Sequence, residues 1–237
     1  METIIFLQVE NESFAAFEIT NIAELKSRNI KIGENVNWGD RVRIGNNVQI
    51  SNNVTICNDT VIYENCIIGE GSVIGIKCNI GSGSVIGHEA ILWFANKTGK
   101  NTKIGNRTVI EHNTVIGSNC DLKDNVTIEK DVIIANNVSI QNGVNILNDT
   151  TIGSNCVIKE NTLISFSVTI ESGVIIRENV NIGNNATIQT NALIRDNAMI
   201  GHSTTIGVWC GIEEGAIIGN YVTVKARSLV KQNSLIN

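Results

Sequence analysis

From Ile30 almost to the C-terminus, an apolar or small residue recurs at every sixth position, and an isoleucine usually follows it two positions later. We label the six positions a to f, with Ile30 at a. Because side chains two positions apart leave the same face of a strand, positions a and c predict a short strand with one buried face.

Positions d to f carry mostly Gly, Asn, Asp or Ser, and position f is most often Asn. These residues tolerate the left-handed backbone region that a sharp corner requires. Each hexad therefore predicts a strand followed by a corner, and three hexads close one triangular coil. The chain is predicted to be an all-β solenoid of about eleven coils, with strands of successive coils paired about 4.8 Å apart.

Residues 1–29 lack this period. A solenoid has an open apolar end that must be covered, so we expect residues 1–29 to form a short N-terminal cap. Residues 30–237 are then one repeat domain.

One stretch interrupts the pattern, at residues 93–101. Positions a and c become Asn96 and Thr98, which are poor residues for an apolar interior, and Trp93 and Phe94 occupy a corner. We expect a loop over 93–101 that leaves the coil. The alternative is an imperfect hexad that stays wound in it.

The chain has three histidines, His88, His112 and His202, and all of them occupy position e. If residues 93–101 form a loop, the three lie on one edge of the solenoid, and otherwise His88 moves to another edge. The acidic residues expected beside them at that edge are Glu70, Glu89, Glu129 and Asp131. Their wide spacing does not favour zinc, whose ligands converge within about 2.1 Å of one point.

Composition agrees with a repeat of small packing sites. The chain is 42% hydrophobic but only 4% aromatic, so its interior is filled by small aliphatic residues. The net charge of −5 gives no basic field for nucleic acid. No apolar run approaches the roughly 18 residues of a membrane span, and the N-terminus does not resemble a signal peptide. These features predict a soluble, cytoplasmic protein.

The chain contains six cysteines. Five of them fall at position a, where Val, Thr, Ala and Ser also occur, and no C-x-x-C pair is present. We expect these five to be buried structural free thiols, since cysteine behaves as a small apolar residue. They are Cys66, Cys78, Cys120, Cys156 and Cys210. Cys57 alone occupies a turn position.

Residues 104–108 read Ile-Gly-Asn-Arg-Thr and residues 152–156 read Ile-Gly-Ser-Asn-Cys. Both resemble the signature of the hexapeptide-repeat acyltransferases, which is an aliphatic residue, Gly, two variable residues and a small residue. The resemblance covers residues 30–233. It implies a left-handed parallel β-helix, although crossovers between parallel strands are generally right-handed. It also implies a homotrimer with active sites in the clefts between subunits.

Residues 110–117 read Ile-Glu-His-Asn-Thr-Val-Ile-Gly. They resemble the catalytic hexad of nucleotide-sugar N-acetyltransferases and sialic-acid-type O-acetyltransferases. The resemblance implies metal-free transfer of an acetyl group from acetyl-CoA to an amine or hydroxyl of a nucleotide-linked sugar. His112 would be the general base and Glu111 would orient its ring, with His88 and His202 as alternates. The other interpretation is a solvent-exposed turn histidine.

Cations near the C-terminus are candidates for cofactor binding. In the family the terminal coils often hold the phosphates of coenzyme A, and Lys225, Arg227 and Lys231 would suit that role. A solvated basic face is the alternative.

Residues 94–99 and 103–104 are similar to a loop of the lipid A N-acyltransferases, which take an acyl chain from acyl carrier protein. Substrate contacts from this loop would come from Trp93, Phe94, Asn96 and Lys97. The same alignment places Asn136 at that family's catalytic histidine, and asparagine cannot act as a base. A third interpretation is a non-catalytic β-helix that serves as a scaffold or binding surface.

Overall fold

The computed structural model describes residues 17–18 and 22–237. Most of the predicted cap, residues 1–16 and 19–21, lies outside the described residues. The described part of that segment consists of strand β1 (Phe17–Glu18) and helix α1 (Ile22–Ser27). β1 pairs antiparallel with the strand Arg43–Ile44. Leu25 is partly buried and packs against the solenoid core.

From Lys31 onward the chain is a parallel β-helix of about eleven turns with three sheets of two-residue strands. Sheet A contains β1, β4 (Arg43–Ile44), β7 (Val61–Ile62), β10 (Asn79–Ile80), β13 (Lys97–Thr98), β16 (Val115–Ile116), β19 (Ile133–Ile134), β22 (Thr151–Ile152), β25 (Thr169–Ile170), β28 (Thr187–Ile188), β31 (Thr205–Ile206) and β34 (Thr223–Val224).

Sheet B contains β2 (Lys31–Ile32), β5 (Gln49–Ile50), β8 (Ile67–Ile68), β11 (Val85–Ile86), β14 (Lys103–Ile104), β17 (Asp121–Leu122), β20 (Ser139–Ile140), β23 (Val157–Ile158), β26 (Ile175–Ile176), β29 (Leu193–Ile194), β32 (Gly211–Ile212) and β35 (Leu229–Val230). Sheet C contains β3 (Asn37–Trp38), β6 (Thr55–Ile56), β9 (Val73–Ile74), β12 (Ile91–Leu92), β15 (Val109–Ile110), β18 (Thr127–Ile128), β21 (Asn145–Ile146), β24 (Leu163–Ile164), β27 (Asn181–Ile182), β30 (Met199–Ile200), β33 (Ile217–Ile218) and β36 (Leu235–Ile236).

Each strand pairs in register with the strand one coil later, as Ile110 does with Ile128. The corners form three edges, which we name by the sheets they connect: edge AB, edge BC and edge CA. Position f of each corner has a positive φ, for example 59° at Asn113, which explains the preference for Asn and Gly there. The predicted repeat of strand and corner is confirmed.

Positions a and c fill the interior, as predicted, and the polar residues at position a satisfy their hydrogen bonds inside it. Thr114 is fully buried, and its Oγ1 donates to the carbonyl oxygen of Glu129 at 3.1 Å. Cys78 plays the same part, since its Sγ lies 2.9 Å from the carbonyl oxygen of Trp93. Burial raises the pKa of the Cys78 thiol to about 11. All six cysteines are free, and the five at position a are buried, as predicted.

The loop expected over 93–101 is wrong. Lys97–Thr98 is strand β13, which pairs with β10 on one side and β16 on the other. Asn96 and Thr98 are buried, with exposed fractions of 2% and 4%. Asn96 Nδ2 donates to the carbonyl oxygen of Ile110 at 3.1 Å, and its Oδ1 accepts from the N–H of Thr114 at 2.9 Å. Because these bonds compensate for burial, the polar hexad stays wound in the coil.

Candidate functional site

His112 lies at edge CA, in the corner between β15 and β16. The corner one coil earlier holds Trp93 and Phe94, with exposed fractions of 46% and 39%. The rings of Phe94 and His112 are tilted by 59° with centroids 6.4 Å apart. Two coils before His112, the Nζ of Lys77 lies 5.6 Å from the centroid of Phe94. Edge CA therefore carries aromatic and cationic groups beside an exposed imidazole.

The ring of His112 is held by one hydrogen bond that fixes its chemistry. Nδ1 accepts from the backbone N–H of Phe94 at 3.3 Å. A neutral imidazole that accepts at Nδ1 carries its proton on Nε2. The free nitrogen of His112 is therefore a hydrogen-bond donor in this arrangement, whereas a general base needs a free lone pair.

The same bond recurs at position e around the solenoid. The Oδ1 of Asn136 accepts from the N–H of Ser118 at 2.7 Å, one coil earlier. Nδ1 of His88 accepts likewise from the N–H of Glu70 at 3.1 Å. His112 and His88 thus replace asparagine in a ladder of side-chain to backbone bonds. Sequence reasoning missed this ladder, although the frequent Asn at position e was a signal for it.

The three histidines do not share an edge, which corrects the expectation that depended on the loop. His88 lies at edge BC, between β11 and β12, whereas His112 and His202 both lie at edge CA. His202 is about five coils beyond His112, or about 24 Å along the stack. Its ring packs edge-on against Tyr221 with centroids 4.6 Å apart.

The acidic residues expected around the histidines divide in the same way. Glu70 and Glu89 lie at edge BC beside His88, and Glu129 and Asp131 lie at edge CA one coil after His112. Asp131 Oδ1 accepts a hydrogen bond from Asn113 Nδ2 at 3.2 Å. Glu111 is half-buried and precedes His112 directly. A carboxylate is therefore available next to His112.

Of the residues expected to contact substrate, three are exposed near His112. Trp93 and Phe94 lie at its edge, and Lys97 projects outward from β13. Asn96 is buried and holds the coil together, so it cannot contact a substrate. Asn136 lies at edge AB in the backbone ladder, away from the other candidates.

The cations expected to bind coenzyme A lie far from His112. Lys225 and Arg227 occupy the edge AB corner between β34 and β35, and Lys231 occupies the next corner at edge BC. They are about six coils from His112, or about 29 Å along the stack. One chain does not bring them together with His112.

Within residues 17–18 and 22–237, no three His, Cys, Asp or Glu side chains come together as metal ligands. In that same part of the chain, no helix is long and apolar enough to cross a bilayer.

Comparison with known families agrees with this architecture. The model of the bacterial transferase hexapeptide (six repeats) matches residues 41–76 and 97–130, which include His112. Over these two segments the chain is similar to the hexapeptide-repeat transferases. The model of the GMPPB C-terminal domain matches residues 140–237. No curated protein sequence matches this chain.

Solved structures similar to this chain include two UDP-N-acetylglucosamine acyltransferases. The Arabidopsis enzyme is 17% identical over 86% of this chain and 64% of its own, with a TM-score of 0.28. The Francisella novicida enzyme is 20% identical over 76% of this chain and 62% of its own, with a TM-score of 0.32. This chain therefore spans less than two thirds of either.

A third similar structure is the polySia-specific acetyltransferase NeuO. It is 13% identical over 76% of this chain and 81% of its own, with a TM-score of 0.33.

Proposed function

We propose that this chain is an acetyltransferase that moves an acetyl group from acetyl-CoA to an amine or hydroxyl of a nucleotide-linked sugar. The observation that carries the proposal is the constellation at edge CA. There, consecutive corners replace the usual Asn, Ser and Gly by exposed aromatic rings, a carboxylate and an imidazole. The residues concerned are Trp93, Phe94, Glu111 and His112. The similarity of residues 41–76 and 97–130 to a transferase family model supports the same reaction class.

The bond from Phe94 to Nδ1 changes the role proposed for His112. With Nδ1 accepting from Phe94, we assign to the Nε2–H of His112 the role of donating to the carbonyl oxygen of the thioester, where negative charge develops during attack. The carboxylate of Glu111 then accepts the proton of the attacking amine or hydroxyl. The new C–N or C–O bond forms, the C–S bond breaks, and the proton passes to the leaving thiolate. His112 therefore acts as a hydrogen-bond donor and Glu111 as the base.

Anionic groups of the two substrates need cations closer than those of the last coil. Lys77 and Lys130 lie at edge CA on either side of His112, and Lys97 lies on the adjoining sheet A. All three are exposed. We assign to them the phosphates of coenzyme A and of the sugar nucleotide. The proposal retains a homotrimer in which a second subunit covers edge CA, and sedimentation velocity tests this.

The direct test is release of free thiol from acetyl-CoA with a panel of amino- and hydroxy-nucleotide sugars. The decisive variant is His112→Asn, because asparagine keeps the backbone bond that position e makes elsewhere. We expect it to lower turnover by about a hundredfold or more, the usual cost of losing an oxyanion donor. His88→Asn is the matched control and should leave turnover unchanged. Equal turnover in both variants would contradict the assignment.

One observation favours a second candidate, a non-catalytic β-helix. The bond of His112 to the backbone is of the same kind as that of His88 and of asparagines such as Asn136. A purely structural histidine at edge CA would look the same. This candidate predicts no thiol release with any acceptor. An acyl-carrier-protein donor is less well supported, since residues 94–99, on which that similarity depended, form part of a coil.

A further inference from the structure

Two departures from the repeat meet near the C-terminal end of the chain. Trp209 occupies position f at edge AB, with a φ of 59° and 61% of its side chain exposed. Most other residues at position f are asparagine or glycine, since a bulky side chain is unfavourable at positive φ. Gly211, two residues later, occupies position b of β32, which points outward and otherwise always carries a side chain.

Together these residues create a groove of about 590 Å³ on the outer face of sheet B. Gly211 is its floor, and its strand neighbours Leu193 and Leu229 form two walls. Trp209 forms a third wall from the corner. The remaining lining residues are Gly173, Ile175, Asn191, Ala192, Cys210, Arg227 and Ser228.

The size of the groove limits what can occupy it. Strands β29 and β35, which carry Leu193 and Leu229, are two strand spacings apart, or about 9.6 Å. That length accepts one ring or two fused rings, whereas a long acyl chain would meet a leucine at either end. Without a Cβ at Gly211, only the flexible tip of the Leu229 side chain lies over the strand, 2.9 Å from where a Cβ would stand. When that tip turns aside, a flat ring can lie on the strand, while the indole of Trp209 offers a π face at the side.

The groove also has a defined charge. Arg227 stands at edge AB one coil after Trp209, and its side chain is exposed. In the described part of the chain, its guanidinium makes no ion pair. Glu171 is an acidic residue at the same edge, and its Oε2 already accepts two hydrogen bonds from Thr190, at 2.9 and 2.7 Å. The rim therefore presents one free planar cation suited to a carboxylate, sulfonate or phosphate.

We propose that this groove binds a small flat aromatic anion. The ring lies between Trp209 and the leucines over Gly211, and the acidic group pairs with Arg227, with Ser228 and Asn191 as further polar partners. The groove lies on sheet B, several coils from His112 at edge CA. The inference is therefore independent of the proposed acetyl transfer.

The probe for a first test is anilinonaphthalene sulfonate, a fluorescent fused ring with one anionic group, titrated into the full chain. We expect saturable binding that Gly211→Leu abolishes, because the leucine fills the floor. The Cβ would first meet the flexible tip of Leu229, at 2.9 Å, so the fold should tolerate it. Trp209→Asn should weaken binding at least about tenfold, since it removes the stacking face.

The matched control is Tyr221→Asn, which removes another exposed aromatic at position f with positive φ, away from the groove. It should leave the affinity unchanged. Dye that binds at the exposed rings of Trp93 and Phe94 would remain bound in every variant. The affinity of the groove is therefore taken from the binding component that Gly211→Leu removes. Equal weakening by Tyr221→Asn, or undiminished binding in Gly211→Leu, would overturn the proposal.

Arg227→Gln tests the anionic half of the proposal. It should weaken the sulfonate about tenfold but leave a neutral analogue, N-phenyl-1-naphthylamine, unaffected. Equal loss for both dyes would refute the ion pair. If instead a second copy of the chain fills the groove, dye binding should increase on dilution and Trp209→Asn should lower the sedimentation coefficient. That result would also overturn the proposal.

Discussion

His112 and His88 occupy equivalent corners, and their difference shows where function can enter a repeat. Both rings accept a backbone N–H at Nδ1, from Phe94 at 3.3 Å and from Glu70 at 3.1 Å. The corners beside His88 hold polar and charged residues, among them Glu70 and Arg107. His112 lies instead beside exposed rings and lysines. The backbone bond is thus a property of position e, and any chemistry specific to His112 must come from its neighbours.

The largest expected effect concerns the interior beneath the two corners. Asn96→Leu removes the partner of the Thr114 N–H and one of two partners of the Ile110 carbonyl, which also accepts from the N–H of Trp93 at 2.9 Å. Leaving the buried Thr114 N–H unpaired should lower the free energy of unfolding by about 2 kcal/mol, measured by urea denaturation.

The corresponding position beneath His88 is Ser72, whose Oγ donates to the carbonyl oxygen of Gly87 at 2.7 Å. Ser72→Ala removes one such bond and should lower the free energy of unfolding by only about 1 kcal/mol. Equal losses in the two variants would mean that Asn96 does not support the His112 corner in the way its hydrogen bonds indicate.

The second prediction concerns the carboxylates beside each histidine. Glu111→Gln should lower the rate of thiol release by about a hundredfold, because the amide cannot accept the proton of the acceptor. Glu70→Gln, beside His88, should leave the rate unchanged. Both substitutions are at partly or fully exposed positions and should preserve the far-UV circular dichroism spectrum. Full activity in Glu111→Gln would mean that a group other than Glu111 is the general base.

The sequence was sufficient to predict the coil, because the residues at positions a and c, such as Thr108 and Ile110, are distinguished from the corner residues by size and polarity alone. The prediction at Asn96 was wrong. Periodicity shows whether a residue is polar or apolar, but it does not show which groups one coil away will form hydrogen bonds with it. A buried asparagine is acceptable there because its amide meets two backbone groups of the next coil.

The candidate site was predicted less completely than the fold. His112 and its exposed aromatic neighbours were found from their departure from the repeat. The tautomer of the His112 ring was not predicted, because it depends on the N–H of Phe94 one coil away. The groove was also missed, although glycine at position b and tryptophan at position f of adjoining hexads were readable departures. The groove forms because strand pairing between coils places Gly211 between Leu193 and Leu229, which are 18 residues away on either side in the sequence.

The third prediction tests whether the two rings share a tautomer. Because both accept at Nδ1, long-range nitrogen–proton NMR spectra of the neutral rings should show His88 and His112 as Nε2–H tautomers. His112→Asn and His88→Asn assign the two sets of signals. An Nδ1–H tautomer at His112 alone would separate the two corners and restore the general-base role to His112.

The smallest expected effect is a difference between two buried thiols, Cys78 beneath edge CA and Cys66 beneath edge AB. Burial raises the pKa of Cys66 and of Cys78 to about 11, so near pH 8 both remain protonated and should react slowly with iodoacetamide. Cys57, which is half-buried, should react first.

Cys78 Sγ lies 2.9 Å from the carbonyl oxygen of Trp93, so its alkylation reports opening of the corner beside Phe94. Asn96→Leu should therefore accelerate alkylation of Cys78 by a few-fold more than that of Cys66, as measured by peptide mass spectrometry. Equal acceleration of both thiols would show that the corner does not open on its own but only with the rest of the solenoid.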